Sequence, residues 1–192
     1  MLPPSEHTPL TDEEIEAAVV GERPSTYQQI VLVDYDPEWP VLFEREERRI
    51  RAALGGRALL VEHAGSTSVP GLPAKPIVDI VLVVSDSSDE GAYVPALEAA
   101  GYVLRIREPD WFEHRLFKGP DTNVNVHTFS EGCEEVERII LFRDWLREHE
   151  DDRAIYERAK RELAAREWKY VQNYADAKSE IVREILARAS AG

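Results

Sequence analysis

One apolar segment limits the possible folds of this chain more than any other. It reads PIVDIVLVV at positions 76–84, and Asp79 is its only charged residue. Successive strand residues point to opposite faces, so Val81 shares the face of Asp79 while Val78 and Ile80 occupy the other. A strand that is apolar on both faces is typical of the centre of a sheet covered on both sides. The segment therefore predicts a buried central strand carrying one carboxylate.

A carboxylate in such a strand is costly to bury unless hydrogen bonds or a cation compensate it. One interpretation is structural, with Asp79 accepting amides of the neighbouring loop. The other is a catalytic Asp79 at a metal or phosphate site, because perturbed carboxylates cluster at such sites.

A loop of small residues precedes this strand, within HAGSTSVPGLPAK at positions 63–75. Small residues let backbone amides approach an anion, and hydroxyl groups add donors. An ordinary turn is the alternative. The predicted phosphate ligands in this segment are Gly65, Ser66, Thr67, Ser68 and Lys75.

A polar row is predicted on the strand at 122–129, where Asn123, Asn125 and His127 share one face. If this strand neighbours the one carrying Asp79, the imidazole and the carboxylate can meet. With His63 they would form a set suited to a divalent ion such as Mg²⁺, Mn²⁺ or Zn²⁺. The alternatives are an exposed sheet face and, for His63, a hydrogen-bonded core histidine.

Further candidates lie in three separate segments. His114 and Arg115 are adjacent on a predicted strand, so they point to opposite faces and at most one can face the site. Helical spacing places Arg143 with Arg147, and Tyr174 with Lys178, on shared faces. Converging cations would suit a polyphosphate, whereas salt bridges are the alternative for the arginines. The candidates are His114, Arg115, Arg143, Tyr174 and Lys178.

Composition narrows the class of protein. The chain has 192 residues and a net charge of −14 without a basic stretch, which disfavours nucleic-acid binding and fits a small-molecule or nucleotide partner. Cys133 is the only cysteine, so no intramolecular disulfide is possible. We expect no signal peptide and no membrane span, and hence a cytoplasmic protein. Its oligomeric state stays open.

The pattern predicts an α+β protein with a mixed sheet flanked by helices. Residues 1–26 form an appendage: its first ten residues are expected to be flexible, and TDEE, from Thr11, begins a short helix through a capping box. The main domain covers residues 27–190, with a sheet core at 27–130 and charged helices at 133–190. Strands are predicted at 58–64, 77–84, 102–107, 111–118 and 122–129, and helices at 36–54 and 91–100.

Several segments together resemble the GrpB family, also named UPF0157. They are VDYDPEWPVLFEREERRI, HAGSTSVPGLPAKPIVDI, the HR-x-F of His114 to Phe117, the N-x-H at 125–127 and LFRDWLR at 141–147. The resemblance covers residues 27 to 186, and this family is sometimes fused to dephospho-coenzyme A kinase. It implies a nucleotidyltransferase-like fold, in which Gly65-Ser66 match the glycine-serine loop and Asp79 the first metal-binding carboxylate.

The sequence departs from that superfamily's pattern at the second carboxylate, where it has Val81. The usual two-metal mechanism needs carboxylates for both cations. Three functions follow. The first is a divergent nucleotidyl- or phosphoryl-transfer enzyme acting on a small molecule, with Asp79 and a histidine on one metal. The second is a non-catalytic nucleotide- or coenzyme-binding module, and the third is a structural partner protein.

Overall fold

The computed structural model describes residues 9–23, 25–27 and 29–191 and has an α+β architecture. The expected flexibility of residues 1–8 falls outside the described residues. The helices are α1 (Asp12–Ala18), α2 (Glu38–Leu54), α3 (Val94–Ala99), α4 (Glu134–Glu148), α5 (Glu150–Ala164), α6 (Val171–Asp176) and α7 (Ser179–Ala189). The strands are β1 (Leu60–Ala64), β2 (Val78–Val84), β3 (Val103–Glu108), β4 (His114–Lys118) and β5 (Val124–Ser130).

The five strands form one mixed sheet in the order β1-β2-β5-β4-β3. Strand β2 pairs antiparallel with β1 and parallel with β5, and β5, β4 and β3 continue as antiparallel neighbours. All seven residues of β2 are buried, as its apolar run predicts. The register sets Asp79 opposite Asn125 on one side and opposite Ala64 on the other.

Helices cover both faces of the sheet. Helices α2 and α3 pack on the face that carries Val78, Ile80 and Val126, in the largest hydrophobic cluster. On the opposite face, Val81 and Phe129 pack against α4. Helices α5 and α7 in turn pack on α4, together with the segment after the loop at 65–68. Asp79 therefore lies between the sheet and the C-terminal helices.

Helix α1 begins with the expected capping box. The amide of Glu14 donates to the Thr11 hydroxyl, and the Glu14 carboxylate accepts from the Thr11 amide. The segment then packs along the edge of the sheet, where the Val20 amide donates to the Arg105 carbonyl and Val19 forms an isolated bridge with Ile106. The described part of the predicted appendage is thus packed against the domain.

The helix and strand boundaries differ from the predicted ones mainly at turns. The strand predicted from 111 begins at His114, because Phe112 and Glu113 have positive φ angles of 54° and 50° in the turn before it. The predicted hairpin between 118 and 122 is confirmed by the antiparallel pairing of β4 and β5. No helix among the described residues is long and apolar enough to cross a membrane.

Candidate functional site

A cleft lies on the Asp79 side of the sheet. The loop after β1, strand β2 and helices α4 to α7 surround it, and apolar side chains such as Phe142 and Val182 form much of its wall. The charged side chains that line it are Asp79, Lys75, Lys160, Lys178, Arg138 and Arg143. The cleft is therefore cationic within a chain of net charge −14.

Asp79 lies at the base of the cleft, and polar side chains of β5 hold it. Its Oδ1 accepts the Asn125 Nδ2 hydrogen at 2.8 Å and lies 3.4 Å from His127 Nε2. Lys118 Nζ donates to Asn125 Oδ1 at 2.5 Å, which turns the amide nitrogen of Asn125 toward the carboxylate. The predicted meeting of Asp79 with the polar row of β5 is confirmed.

The loop approaches Asp79 through Gly65. This residue has φ +65° and ψ −171°, a region that essentially only glycine occupies. A Cβ at this position would lie 2.5 Å from Asp79 Oδ2, so the carboxylate packs directly on the loop backbone. A short 3₁₀ turn, Ser66–Ser68, follows, and the Ser68 hydroxyl donates to the Gly65 carbonyl at 2.6 Å. Gly65, Ser66 and Thr67 line the cleft.

His63 lies on the opposite face of the sheet from Asp79. The register pairs Ala64 with Asp79 and His63 with Ile80, so the imidazole points toward α2. There it stacks on Phe43, and its Nε2 lies 3.1 Å from the Thr67 hydroxyl. Burial lowers the pKa of His63 to about 4 despite the attraction of the Asp79 carboxylate. The core-histidine interpretation is the one the structure favours.

The expected divalent-ion set of Asp79, His63 and His127 is therefore not assembled. Both ring nitrogens of His127 are already within hydrogen-bond distance of other side chains, Asp79 and His114. Val81, two residues after Asp79 on the same strand face, is fully buried and offers no ligand atom. The part of the chain that the structure describes contains no group of three or more His, Cys, Asp or Glu residues arranged to hold a metal. These donors do not fit a divalent ion.

Two lysines of the cleft share one aromatic ring. The Nζ atoms of Lys75 and Lys178 lie 5.7 and 4.8 Å from the centroid of Tyr174. Within the described residues, neither ammonium group makes a hydrogen bond or an ion pair. Burial, and then the nearby charge of Lys75, lower the pKa of Lys178 to about 7.

Lys160 adds a third buried ammonium group. Its Nζ donates to the Pro73 carbonyl and lies 5.3 Å from the ring centroid of Tyr156. Burial and the charge of Lys178 lower the pKa of Lys160 well below its usual range. The three ammonium groups thus line one cleft, and none of them forms a salt bridge with a carboxylate of the described residues.

Tyr174 lines the same cleft, and its hydroxyl has no hydrogen-bond partner among the described residues. The residue is only 1% exposed, and its hydroxyl is one of the few buried polar side-chain atoms without a hydrogen bond among the described residues. Leaving a buried hydroxyl unsatisfied costs about 1–3 kcal/mol. A side chain that lines a cleft and lacks a partner is a candidate ligand-binding group.

The arginines of α4, in contrast, are neutralised by the protein. Arg143 donates to Glu62 at 2.6 Å, to the His63 carbonyl at 2.9 Å and, through Nε, to Asp144 at 2.8 Å. Arg147 Nε donates to the Ser68 carbonyl at 3.0 Å. These two side chains hold the loop in place. Arg138 is bound in the same way, by Glu135.

The predicted residues that do not line the cleft include Arg115, Asn123 and His114. Arg115 is on the opposite face of β4, where Glu90 and Glu113 bind it at 2.7 and 3.1 Å, so its guanidinium does not face the cleft. Asn123 is exposed before β5 and donates to the Pro76 carbonyl. His114 shares the face of His127, and their Nε2 and Nδ1 atoms are 3.1 Å apart.

Lys118 and Lys160 were missing from the predicted set. A signal for Lys160 exists, because it follows Tyr156 by four residues on the apolar stripe of α5 and so shares its buried face. Lys118 shares a strand face with His114, two steps of alternation away. In both cases the sequence pattern predicts a buried position, and a lysine at such a position is unusual.

The chain is similar to proteins of one known family. The family model for the GrpB protein matches residues 29–188. The chain belongs to the GrpB family. A UPF0157 protein of Halalkalibacterium halodurans is 62% identical over 187 residues, which cover 97% of this chain and 96% of that one.

A solved family structure agrees with this fold. The crystal structure of the conserved protein GrpB from Enterococcus faecalis superposes with a TM-score of 0.70 at 30% identity, covering 83% of this chain and 96% of that chain. A dephospho-CoA kinase of Mycolicibacterium paratuberculosis is 32% identical over 184 residues. That match covers 82% of this chain but 45% of the kinase, so the similar region is one part of a longer protein.

Proposed function

We propose that the cleft binds the phosphate groups of a small phosphorylated molecule, such as a nucleotide or a coenzyme A precursor. The observation that carries the proposal is the unpartnered Tyr174 hydroxyl beside the ammonium groups of Lys75 and Lys178, which lack anionic partners among the described residues. A phosphate oxygen would accept from all three groups. The apolar wall around Phe142 would contact the organic part of the ligand.

Electrostatics support an anionic ligand. Neighbouring ammonium groups repel each other in a buried site, where charges interact more strongly than in water. A phosphate dianion relieves that repulsion and raises the pKa of Lys178, so binding takes up protons when the pH is above about 7. Ligand affinity should accordingly fall as the pH rises from 7 to 9.

Group transfer is the second candidate function. Asp79 is the one carboxylate that faces the cleft among its described lining residues, whereas two-metal transfer relies on several. That difference favours binding, or chemistry without the two-metal arrangement. The relative that is named a dephospho-CoA kinase supports testing coenzyme A precursors as ligands.

A thermal-shift screen tests the proposal. Nucleotides, dephospho-coenzyme A, phosphopantetheine and inorganic phosphate are each added with and without Mg²⁺, Mn²⁺ or Zn²⁺. We expect at least one phosphorylated compound to raise the Tm of the wild-type chain and to lose most of this effect in Lys178→Met and Tyr174→Phe. Arg51→Met, which removes a cation from α2 on the other side of the sheet, is the matched control.

Two outcomes would contradict phosphate binding. One is that no phosphorylated compound shifts the Tm of the wild-type chain. The other is that Lys178→Met and Arg51→Met respond alike to the compound that does. A metal dependence that disappears in Asp79→Asn would instead support the transfer function.

A further inference from the structure

Four polar side chains form a continuous series of hydrogen bonds that starts in the cleft. Asp79 Oδ1 is 3.4 Å from His127 Nε2, and His127 Nδ1 is 3.1 Å from His114 Nε2. His114 Nδ1 is in turn 2.6 Å from Glu108 Oε2. The series crosses β2, β5, β4 and β3 in that order, because these strands are neighbours in the sheet.

The two imidazoles in the middle are shielded from water. His127 and His114 are 2% and 3% exposed, and Trp111 and Phe129 pack around the ring of His114. Their ring planes differ by 18° and their centroids are 5.2 Å apart. With only 3.1 Å between the nitrogens, the rings meet edge to edge, which is the geometry of an imidazole hydrogen bond.

The two ends of the series reach different spaces. Asp79 lines the cleft. The Glu108 side chain is 18% exposed and lines a second groove between α1, α4 and the end of β3, and Arg138 borders both this groove and the cleft. The series therefore links this groove to the cleft.

Three hydrogen bonds along this series require one proton more than two neutral imidazoles supply. Three links need three hydrogens, and each neutral imidazole carries one. The pKa of Asp79 lies well below its usual range, so its carboxylate is ionised and accepts from both Asn125 Nδ2 and His127 Nε2–H. His127 Nδ1 must then accept from His114 Nε2–H. The third proton consequently lies between His114 Nδ1 and Glu108.

We infer that Glu108, His114 and His127 form a proton relay that delivers a proton to Asp79 for transfer to a ligand in the cleft. The proton between Glu108 and His114 moves to His114 Nδ1, the Nε2 proton of His114 moves to His127 Nδ1, and the Nε2 proton of His127 moves to Asp79. Each link breaks one bond to hydrogen and forms one, and Glu108 is left as a carboxylate. Asp79 is the group that would touch the ligand, and the other three act through it.

Other charged groups near these four side chains affect how they bind protons. Lys118 on β4 and the cleft residues Lys75 and Lys178 act on Asp79. On α4, the nearby Glu135 and Arg138 neutralise each other. Burial lowers the pKa of His127 to about 4, with the Asp79 carboxylate opposing the shift, which agrees with a neutral ring in the middle of the series.

Nitrogen NMR of the histidine rings in the full, ligand-free chain tests the relay. In the wild type, loss of the third proton lets both rings change tautomer, so His114 and His127 should titrate with one common midpoint. In Glu108→Gln the side-chain amide donates to His114 Nδ1, and both rings should stay as Nε2–H tautomers through that pH range. Glu108→Met, which lacks any donor, should also abolish the shared midpoint, and His149 is the internal control.

The relay is overturned if His127 stays unchanged while His114 titrates in the wild type. It is also overturned if the titration of His127 is identical in wild type and Glu108→Gln. A purely structural pair of histidines would give either of these results. The measurement needs no ligand, so it is independent of whether the cleft binds phosphate.

Discussion

At the scale of single residues, the cleft contains charged side chains whose burial destabilises the folded protein. Lys178 is 5% exposed and lies over the Tyr174 ring, without an anionic partner among the described residues. The change in its pKa from 10.5 to about 7 means that the folded chain resists protonating it. A residue that destabilises the fold in this way is typical of a binding site.

Replacing this lysine should stabilise the protein while removing ligand binding. The cost of burying the charge is complete below pH 7 and fades as the pH rises from 7 toward 10.5, because only the unfolded chain then binds the proton. Since about 1.4 kcal/mol corresponds to one pH unit, the cost at pH 7 is at most on the order of 4 kcal/mol. Urea unfolding should show that Lys178→Met gains stability at pH 7 and much less at pH 10. A variant less stable than wild type at pH 7 would refute this.

At the scale of elements, the loop between β1 and β2 brings the backbone against Asp79. Its conformation depends on Gly65 because both the positive φ and the 2.5 Å approach to Asp79 Oδ2 leave no place for a Cβ. Arg143 and Arg147 of α4 bind carbonyl oxygens at the two ends of the loop, His63 and Ser68. The loop, β2 and α4 are therefore one structural unit.

Gly65→Ala should lower the free energy of unfolding more than Gly71→Ala does. Gly71 also has a positive φ, of +78°, but no atom lies within 4 Å of where its Cβ would be. We expect Gly71→Ala to cost about 1 kcal/mol through backbone strain and Gly65→Ala about 3 kcal/mol through strain and overlap. Denaturant unfolding of both variants measures the difference, and equal losses would show that the contact with Asp79 is unimportant.

At the scale of the whole molecule, residues near the N-terminus are tied to the helix that carries Tyr174. The Leu10 amide donates to Asp176, Lys169 pairs with Asp12, and the Tyr170 hydroxyl donates to Glu16 at 2.6 Å. These contacts join positions more than 150 residues apart. Helix α1 thus supports α6, and with it one side of the cleft.

Loss of one of these bonds should loosen α1 selectively. Tyr170→Phe removes a hydrogen bond to the Glu16 carboxylate and keeps the ring. Hydrogen exchange of residues 12–20 should accelerate roughly tenfold while the strand amides remain protected. Tyr35→Phe, a hydroxyl deletion beside Trp39, is the control. Unchanged exchange in α1 would mean that other contacts hold this helix.

The sequence by itself determined the strands, the faces of their side chains and the family. Alternation along β2 and β5 is local, so the meeting of Asp79 with Asn125 and His127 followed once the two strands were neighbours. Only the tertiary structure showed that His63 lies on the face of the sheet opposite to Asp79. A shift of one residue in the β1–β2 register would move the His63 side chain to the other face. The tertiary structure also decided that carboxylates pair with Arg115 and Arg143, whereas no described carboxylate forms a salt bridge with Lys160 or Lys178. Whether a charged side chain forms a salt bridge depends on how helices that are distant in sequence pack together. This packing cannot be read from the local sequence pattern.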